Sequence, residues 1–195
     1  MPDDVLTPEV ILSTAEDVLR RYGPTKATVV DVARALGVSH GSVYRHFSSK
    51  AALRDAVAER WLRRIAEPLE KIAVQSGSAT QRLESWLRLL VKSKHSRALD
   101  DPELFATYIT LVNDAREVVQ AHVGSLVGQL TRIIKDGVQQ GEFHVDDANK
   151  TARAIFDATT RFHNPIHAQE WTDAGNKAAF ENVLQLVMRG LKAKG

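Results

Sequence analysis

TVVDVARALGVSHGSVYRHFSSKAAL, residues 28–53, reads as two short helices joined by a tight turn and followed at once by the start of a third helix. Thr28 stands at an N-cap position, with Asp31 three residues on as an acidic form of the capping box. Val29, Val32, Ala33 and Leu36 recur at helical spacing, and Gly37 stops the run where a left-handed residue belongs. Val38 follows as an apolar plug. Ser39 then caps a second helix through His40, Gly41, Ser42, Val43, Tyr44, Arg45 and His46. A helix, a short turn containing Gly and a second helix of mixed polarity make a helix-turn-helix, whose second helix enters the DNA major groove.

Around this motif the charge is local. Net charge is only +2, and acids and bases balance over residues 1–60, yet between Arg20 and Lys50 six basic residues face one acid, Asp31. A phosphate-binding surface needs its positive charge concentrated in this way. Hydrophobic content of 44% and charged content of 26% suit a folded globular chain of 195 residues. With no cysteine, a disulfide framework, a thiolate zinc site and a thiol nucleophile are excluded. The acidic start Met1-Pro2-Asp3-Asp4 is not that of a signal peptide, and no run approaches the ~18 apolar residues of a membrane helix, so a cytoplasmic protein with no membrane partner is expected.

Gly37-Val38-Ser39, then Val43-Tyr44-Arg45-His46-Phe47, then Ser49-Lys50 and Leu53, resembles the signature of the TetR family of bacterial transcriptional regulators, from residue 7 to about residue 60. The resemblance implies a DNA-reading set. Thr28 would offer its hydroxyl and backbone N–H to a phosphate; Ser39, His40, Gly41 and Ser42 would open the recognition helix near base edges or backbone. Gly41 would serve by close approach. Tyr44 and His46 would bind phosphates, Arg45 would be the longest base reader, and Lys50 would bind phosphate at the start of the next helix. Val43 and Phe47 read as core.

Outward from the motif, Thr7-Pro8-Glu9 opens the first helix, with Ile11, Ala15, Val18, Leu19 and Tyr22 on one face and Gly23-Pro24 at its end. After Ser48 or Ser49, a long fourth helix carries Leu53, Val57, Trp61, Ile65, Leu69 and Ile72, with Pro68 expected to kink or break it. No linker separates it from the motif. Residues 76–79 form the clearest loop; later stripes are Leu83, Trp86, Leu87, Leu90 and Val91, then Leu104 to Val112, Val119 to Ile134, Ala152 to Phe162 with Asp146 as cap, and Phe180 to Leu191. About nine helices and no convincing strand predict an all-α fold, divided into a helix-turn-helix domain at 1–50 and a helical effector-binding and dimerisation domain at 51–195.

In the family the last two long helices, here about 147–163 and 174–192, form the dimer interface, and Ala152, Ala154, Ala158, Ala178 and Ala179 would permit close approach. Trp86, Phe105, Tyr108, His122, Phe156 and Phe162 are the candidate effector contacts, although aromatics at helical spacing also serve as plain core. Gly124 and Gly128, inside the seventh helix, open space either for a ligand or for a neighbouring helix. His163 and His167 flank Pro165, which interrupts any metal-binding pair, and neither a metal nor a cofactor is expected. No Ser-His-Asp order, phosphate loop or HExxH run supports an enzyme. The resulting expectation is a homodimeric repressor that binds pseudo-palindromic double-stranded operator DNA and is released by a small-molecule effector. The alternatives are a constitutive helix-turn-helix protein or, further off, a helical enzyme or ligand carrier.

Overall fold

A computed structural model describes residues 6–192, so the acidic start at Met1–Asp4 lies outside the described residues. Among these there are nine α-helices: α1 (Pro8–Lys26), α2 (Val29–Leu36), α3 (His40–Tyr44), α4 (Lys50–Val74), α5 (Ala79–Asp100), α6 (Pro102–Asp114), α7 (Arg116–Gln139), α8 (Ala148–Ala158) and α9 (Asn176–Leu191). Two 3-10 segments, Thr160–Phe162 and Pro165–Thr172, join the last two. The described residues contain no strand beyond an isolated bridge between Phe143 and Lys192. Among the described residues no helix is long and apolar enough to cross a membrane.

The chain divides into two compact units, one of residues up to 63 with 101–120, the other of 64–100 with the residues after 120. In the first, Thr7 Oγ1 accepts the Val10 N–H and Pro8 opens α1. Gly23, at φ 77°, breaks its helical geometry before Pro24. The core joins Ile11, Ala15, Val18 and Leu19 of α1 to Val29, Val32 and Ala33 of α2, Val43 of α3, Leu53 and Val57 of α4 and Leu111 of α6. Two short helices cannot enclose a core alone, and α1 supplies the missing wall. Tyr22 departs from expectation: it is exposed at the end of α1, with the Arg21 guanidinium 5.5 Å from its ring centre, and Leu12 is buried instead.

In the second unit Trp86, Leu87 and Leu90 of α5 are fully enclosed, as are Leu130, Ile133 and Ile134 of α7. Pro68 does not break α4, which remains one helix over its whole length. Proline removes the N–H that would address the Arg64 carbonyl, and Arg97 Nη2 lies 3.5 Å from that oxygen instead. The start of α5 is capped from far along the chain: Ser78 Oγ and Thr80 N both donate to Glu142 Oε2 at 2.8 Å, and Ala79 N donates to Gln140 Oε1 at 3.0 Å. Asp147, rather than Asp146, caps α8 by accepting from Asn149 N and Lys150 N. That helix stops sooner than the apolar pattern implies. The Thr159 hydroxyl turns back onto the Ile155 and Phe156 carbonyls, and the chain continues in 3-10 turns.

Candidate nucleic-acid interface

The motif is built by local bonds that the sequence foreshadows. Gly37 lies at φ 67°, ψ 25°, the Val38 N–H donates to Ala33 O at 3.0 Å, and the Gly37 N–H donates to Arg34 O at 3.2 Å. This pair of bonds is a complete Schellman ending, and it needs a residue without a Cβ at the left-handed position. Ser39 Oγ accepts the Ser42 N–H at 3.2 Å and so fixes the start of α3. Val43 is the single fully buried residue of α3, at 0% exposure, and Phe47 packs half-buried on the same core.

The predicted contacts, by contrast, are presented outward. Ser39, His40, Gly41, Tyr44, Arg45, His46 and Lys50 are exposed, as is Thr28, and Ser42 is half-exposed. Ser39 Oγ, Ser42 Oγ and Arg45 form a chain of hydrogen bonds at 3.0 and 3.2 Å that pre-positions the guanidinium along the helix surface. The rings of His40 and Tyr44 meet edge to face, 6.3 Å between centres. Thr28 and Lys50 line one small cleft with Arg54, which brings two of the expected phosphate contacts to the same place. Ser49 Oγ accepts the Ala52 N–H at 3.0 Å, so Ser49 is the cap that sets Lys50 at the first turn of α4.

Thr28 is more committed than its sequence position implies. Its Oγ1 accepts the Asp31 N–H and donates to Asp31 Oδ2 at 2.6 Å, while its own N–H donates to the same carboxylate oxygen at 3.1 Å. These bonds, the Thr28 side-chain one foremost, hold the Asp31 carboxyl below its ordinary range, so it is charged at neutral pH. Arg34 pairs with it at 3.1 Å.

A five-residue helix with one buried valine, preceded by a glycine-ended helix and rimmed with cations, has the shape and charge that a phosphate-lined groove would accept. Residues 11–57 match the sequence profile described as bacterial regulatory proteins, tetR family, and residues 79–184 match that of the tetracyclin repressor-like C-terminal domain. The chain belongs to the TetR family. Its members are DNA-binding transcriptional regulators rather than enzymes. One relative, the HTH-type transcriptional regulator UidR of Escherichia coli (strain K12), is 26% identical over 186 residues, 93% of this chain and 90% of that protein. In fold the chain is similar to SmeT, the repressor of the Stenotrophomonas maltophilia multidrug efflux pump SmeDEF, with a TM-score of 0.70 and 19% identity over 98% of this chain and 93% of that one. It is also similar to FadR from Bacillus subtilis, solved in complex with stearoyl-CoA, with a TM-score of 0.63 and 18% identity over 95% of this chain and 100% of that one.

The candidate effector residues of this TetR-family chain are divided between the two units. Phe105 and Tyr108 belong to the first, where Tyr108 stacks on Trp61. Trp86, His122, Phe156 and Phe162 belong to the second. Trp86 is enclosed and its Nε1 donates to Gln129 Oε1 at 2.9 Å, while Gln129 Nε2 reaches Ala66 O at 3.3 Å. Phe156 lies against His163, ring centres 4.6 Å apart, and Phe162 against Phe180 at 5.4 Å. Gly124 and Gly128 face open space. Among the described residues no three His, Asp or Glu side chains group closely enough to hold a metal ion. His167 instead pairs with Glu170 at 3.0 Å, and that carboxylate also takes Arg161.

Lys94 belongs to none of the sequence motifs. It lies 6% exposed on α5, with no carboxylate or hydrogen-bond partner among the described residues. The signal was available: Leu83, Leu87 and Leu90 define a buried stripe whose next helical position is 94.

Proposed function

We propose that the protein is a homodimeric repressor whose two α3 helices enter successive major grooves of a pseudo-palindromic operator, about 34–36 Å apart. The observation that carries this reading is the outward presentation of Tyr44, Arg45, His46 and Lys50 around a helix whose one buried residue is Val43. One such short helix reads too few base pairs for specificity, which favours a pair. The apolar surface of the last helices supports pairing: Leu186 is 72% exposed on α9, and Ala154, Ala158 and Ala178 are exposed on α8 and α9. A two-fold axis would bring such a face onto itself.

The second unit is the proposed effector-binding part, and α4, continuous from Lys50 to Val74, carries residues of both units. A ligand that binds one dimer geometry better than the other would shift the spacing of the recognition helices. Selection of bound DNA from a random pool tests binding, symmetry and half-site spacing together. A two-fold symmetric consensus with one-turn spacing is expected, and recovery of unselected sequence rejects the reading. Leu186→Asp should convert the dimer to monomer in sedimentation and remove operator binding with it.

A further inference from the structure

Lys94 stands where a lysine is costly. Its side chain is buried on α5, and neither an acid nor a hydrogen-bond acceptor meets it among the described residues. Burying an ammonium without a counter-charge is strongly unfavourable, and burial, then the charge of Arg97, lowers Lys94 to about 8, which still leaves it protonated at neutral pH. The charges that act on it and on its neighbours are nearly all of its own sign. Arg97 acts on Lys94, and Lys94 acts on both His122 and His163. Asp157 acts on His163 but is itself paired with Arg153 at 2.9 Å, and among the described residues no carboxylate acts on Lys94 or His122.

His122 adds a second unmet polar group. Its Nε2 is shielded from solvent and has no hydrogen-bond partner. His163 differs, because its Nε2 lies 3.3 Å from both Phe156 O and Thr159 Oγ1, so that ring is held in place by protein atoms. The cluster therefore offers an ammonium with three donors and a free imidazole nitrogen. Burial, with Lys94's charge, keeps His122 and His163 unprotonated at neutral pH, which leaves Lys94 as the cation to be neutralised. One buried positive charge, with both imidazoles neutral, is balanced by a singly charged carboxylate, whereas a phosphate group would leave negative charge uncompensated. Leu90 and Val91, one turn back on α5, and Phe156 beside His163 are apolar.

We propose that Lys94, with His122 beside it, anchors the carboxylate of the effector, so that the protein responds to small organic monocarboxylates with an apolar body. This rests on the effector-binding reading of the second unit. Carboxylate and ammonium form a charge-assisted bond, the His122 nitrogen meets the second oxygen, and the apolar body lies against the aliphatic and aromatic side chains nearby.

The test uses the full chain with benzoate, phenylacetate and octanoate, each against its own primary amide, read by thermal shift and by release of the operator recovered from the random pool. At least one acid should stabilise the protein at a concentration roughly 10- to 100-fold lower than its amide. Lys94→Met should erase that preference while still binding operator with unchanged affinity. His122→Leu, which leaves the lysine in place, should weaken the same acid severalfold. Equal action of acids and amides, no stabilisation by any acid, or an undiminished preference in Lys94→Met would overturn the assignment. Acid binding that depends on Lys94 but does not release DNA would keep the anchor and reject the regulatory reading. DNA release by the amides alone would do the reverse.

Discussion

Asp31 occupies both groups through which Thr28 would reach a phosphate, its Oδ2 lying 2.6 Å from Thr28 Oγ1 and 3.1 Å from Thr28 N. The capping box that starts α2 thus places a charged carboxylate where DNA phosphate is expected. The local fold and the proposed contact compete for the same donors. Asp31→Asn keeps an acceptor for the cap and removes the charge, so DNA affinity should rise severalfold on specific and non-specific sequences alike. Thr28→Ala should cost about 1 kcal/mol of stability and weaken DNA binding as well. Thermal melts alongside DNA titrations separate the two effects; an unchanged affinity in Asp31→Asn would place Thr28 outside the interface.

Lys50 and Arg45 should fail in different ways. Lys50→Ala should weaken binding across all sequences and reduce the slope of log affinity against log salt by about 1. Arg45→Ala should cost about 1–3 kcal/mol at particular base pairs and relax preference there. Equal losses on operator and random DNA for Arg45→Ala would make it a phosphate contact only.

A Cβ on Gly41 would meet nothing closer than Ser39 Oγ at 3.7 Å, an ordinary contact. Gly41→Ala should therefore fold as well as the parent or better. Loss of operator binding without loss of stability would locate the DNA backbone against this position, and full binding would rule out close approach.

Two glycines of α7 should respond with opposite sign. Gly128 faces open space, and Gly128→Ala should add up to about 1 kcal/mol of stability. The ring of Phe143 lies where a Cβ on Gly137 would stand, so Gly137→Ala should destabilise by roughly 1–3 kcal/mol despite its better helix propensity. Denaturant titration of both variants checks this.

Acid should loosen the second unit before its carboxylates titrate. Burial, then Lys94's charge, pushes the His163 imidazole down to about 4, and burial, then Lys94 and His163, pushes His122 to about 3. The unfolded chain protonates these rings near pH ~6.5, so it binds more protons than the folded chain below that value. Stability should fall from about pH 6.5 downward and continue to fall until the folded-state values are reached. His163→Gln should flatten part of that limb in melting temperatures recorded between about pH 4.5 and 7. A profile identical to the parent would show that the ring does not titrate differently on folding.

Much of the DNA-reading unit was legible because its signals are local. Gly37 ends a helix through bonds to Ala33 and Arg34, and Ser39 caps one through Ser42, all within five residues. The caps of the later helices were harder to place. Asp146 and Asp147 are both good cap residues, and it is the Asp147 carboxylate that accepts from Asn149 N and Lys150 N. The end of α8 at Ala158 is hidden in the sequence because the apolar periodicity runs on to Phe162, while the Thr159 hydroxyl bonds back to the Ile155 carbonyl.

By itself the sequence determined the helical pattern, the turn at Gly37, the inward face of Val43 and the local excess of positive charge, because each depends on residues within one or two turns of one another. Only the tertiary structure decided that Glu142 caps α5 from 62 residues beyond Thr80, that Gln129 satisfies Trp86 across 43 residues, and that Phe143 closes over Gly137. It also decided that Lys94 is buried where its charge bears on the His122 and His163 imidazoles. Whether a polar side chain at the end of an apolar stripe reaches water or is enclosed depends on which helices fold over it, and that information is spread over the whole chain.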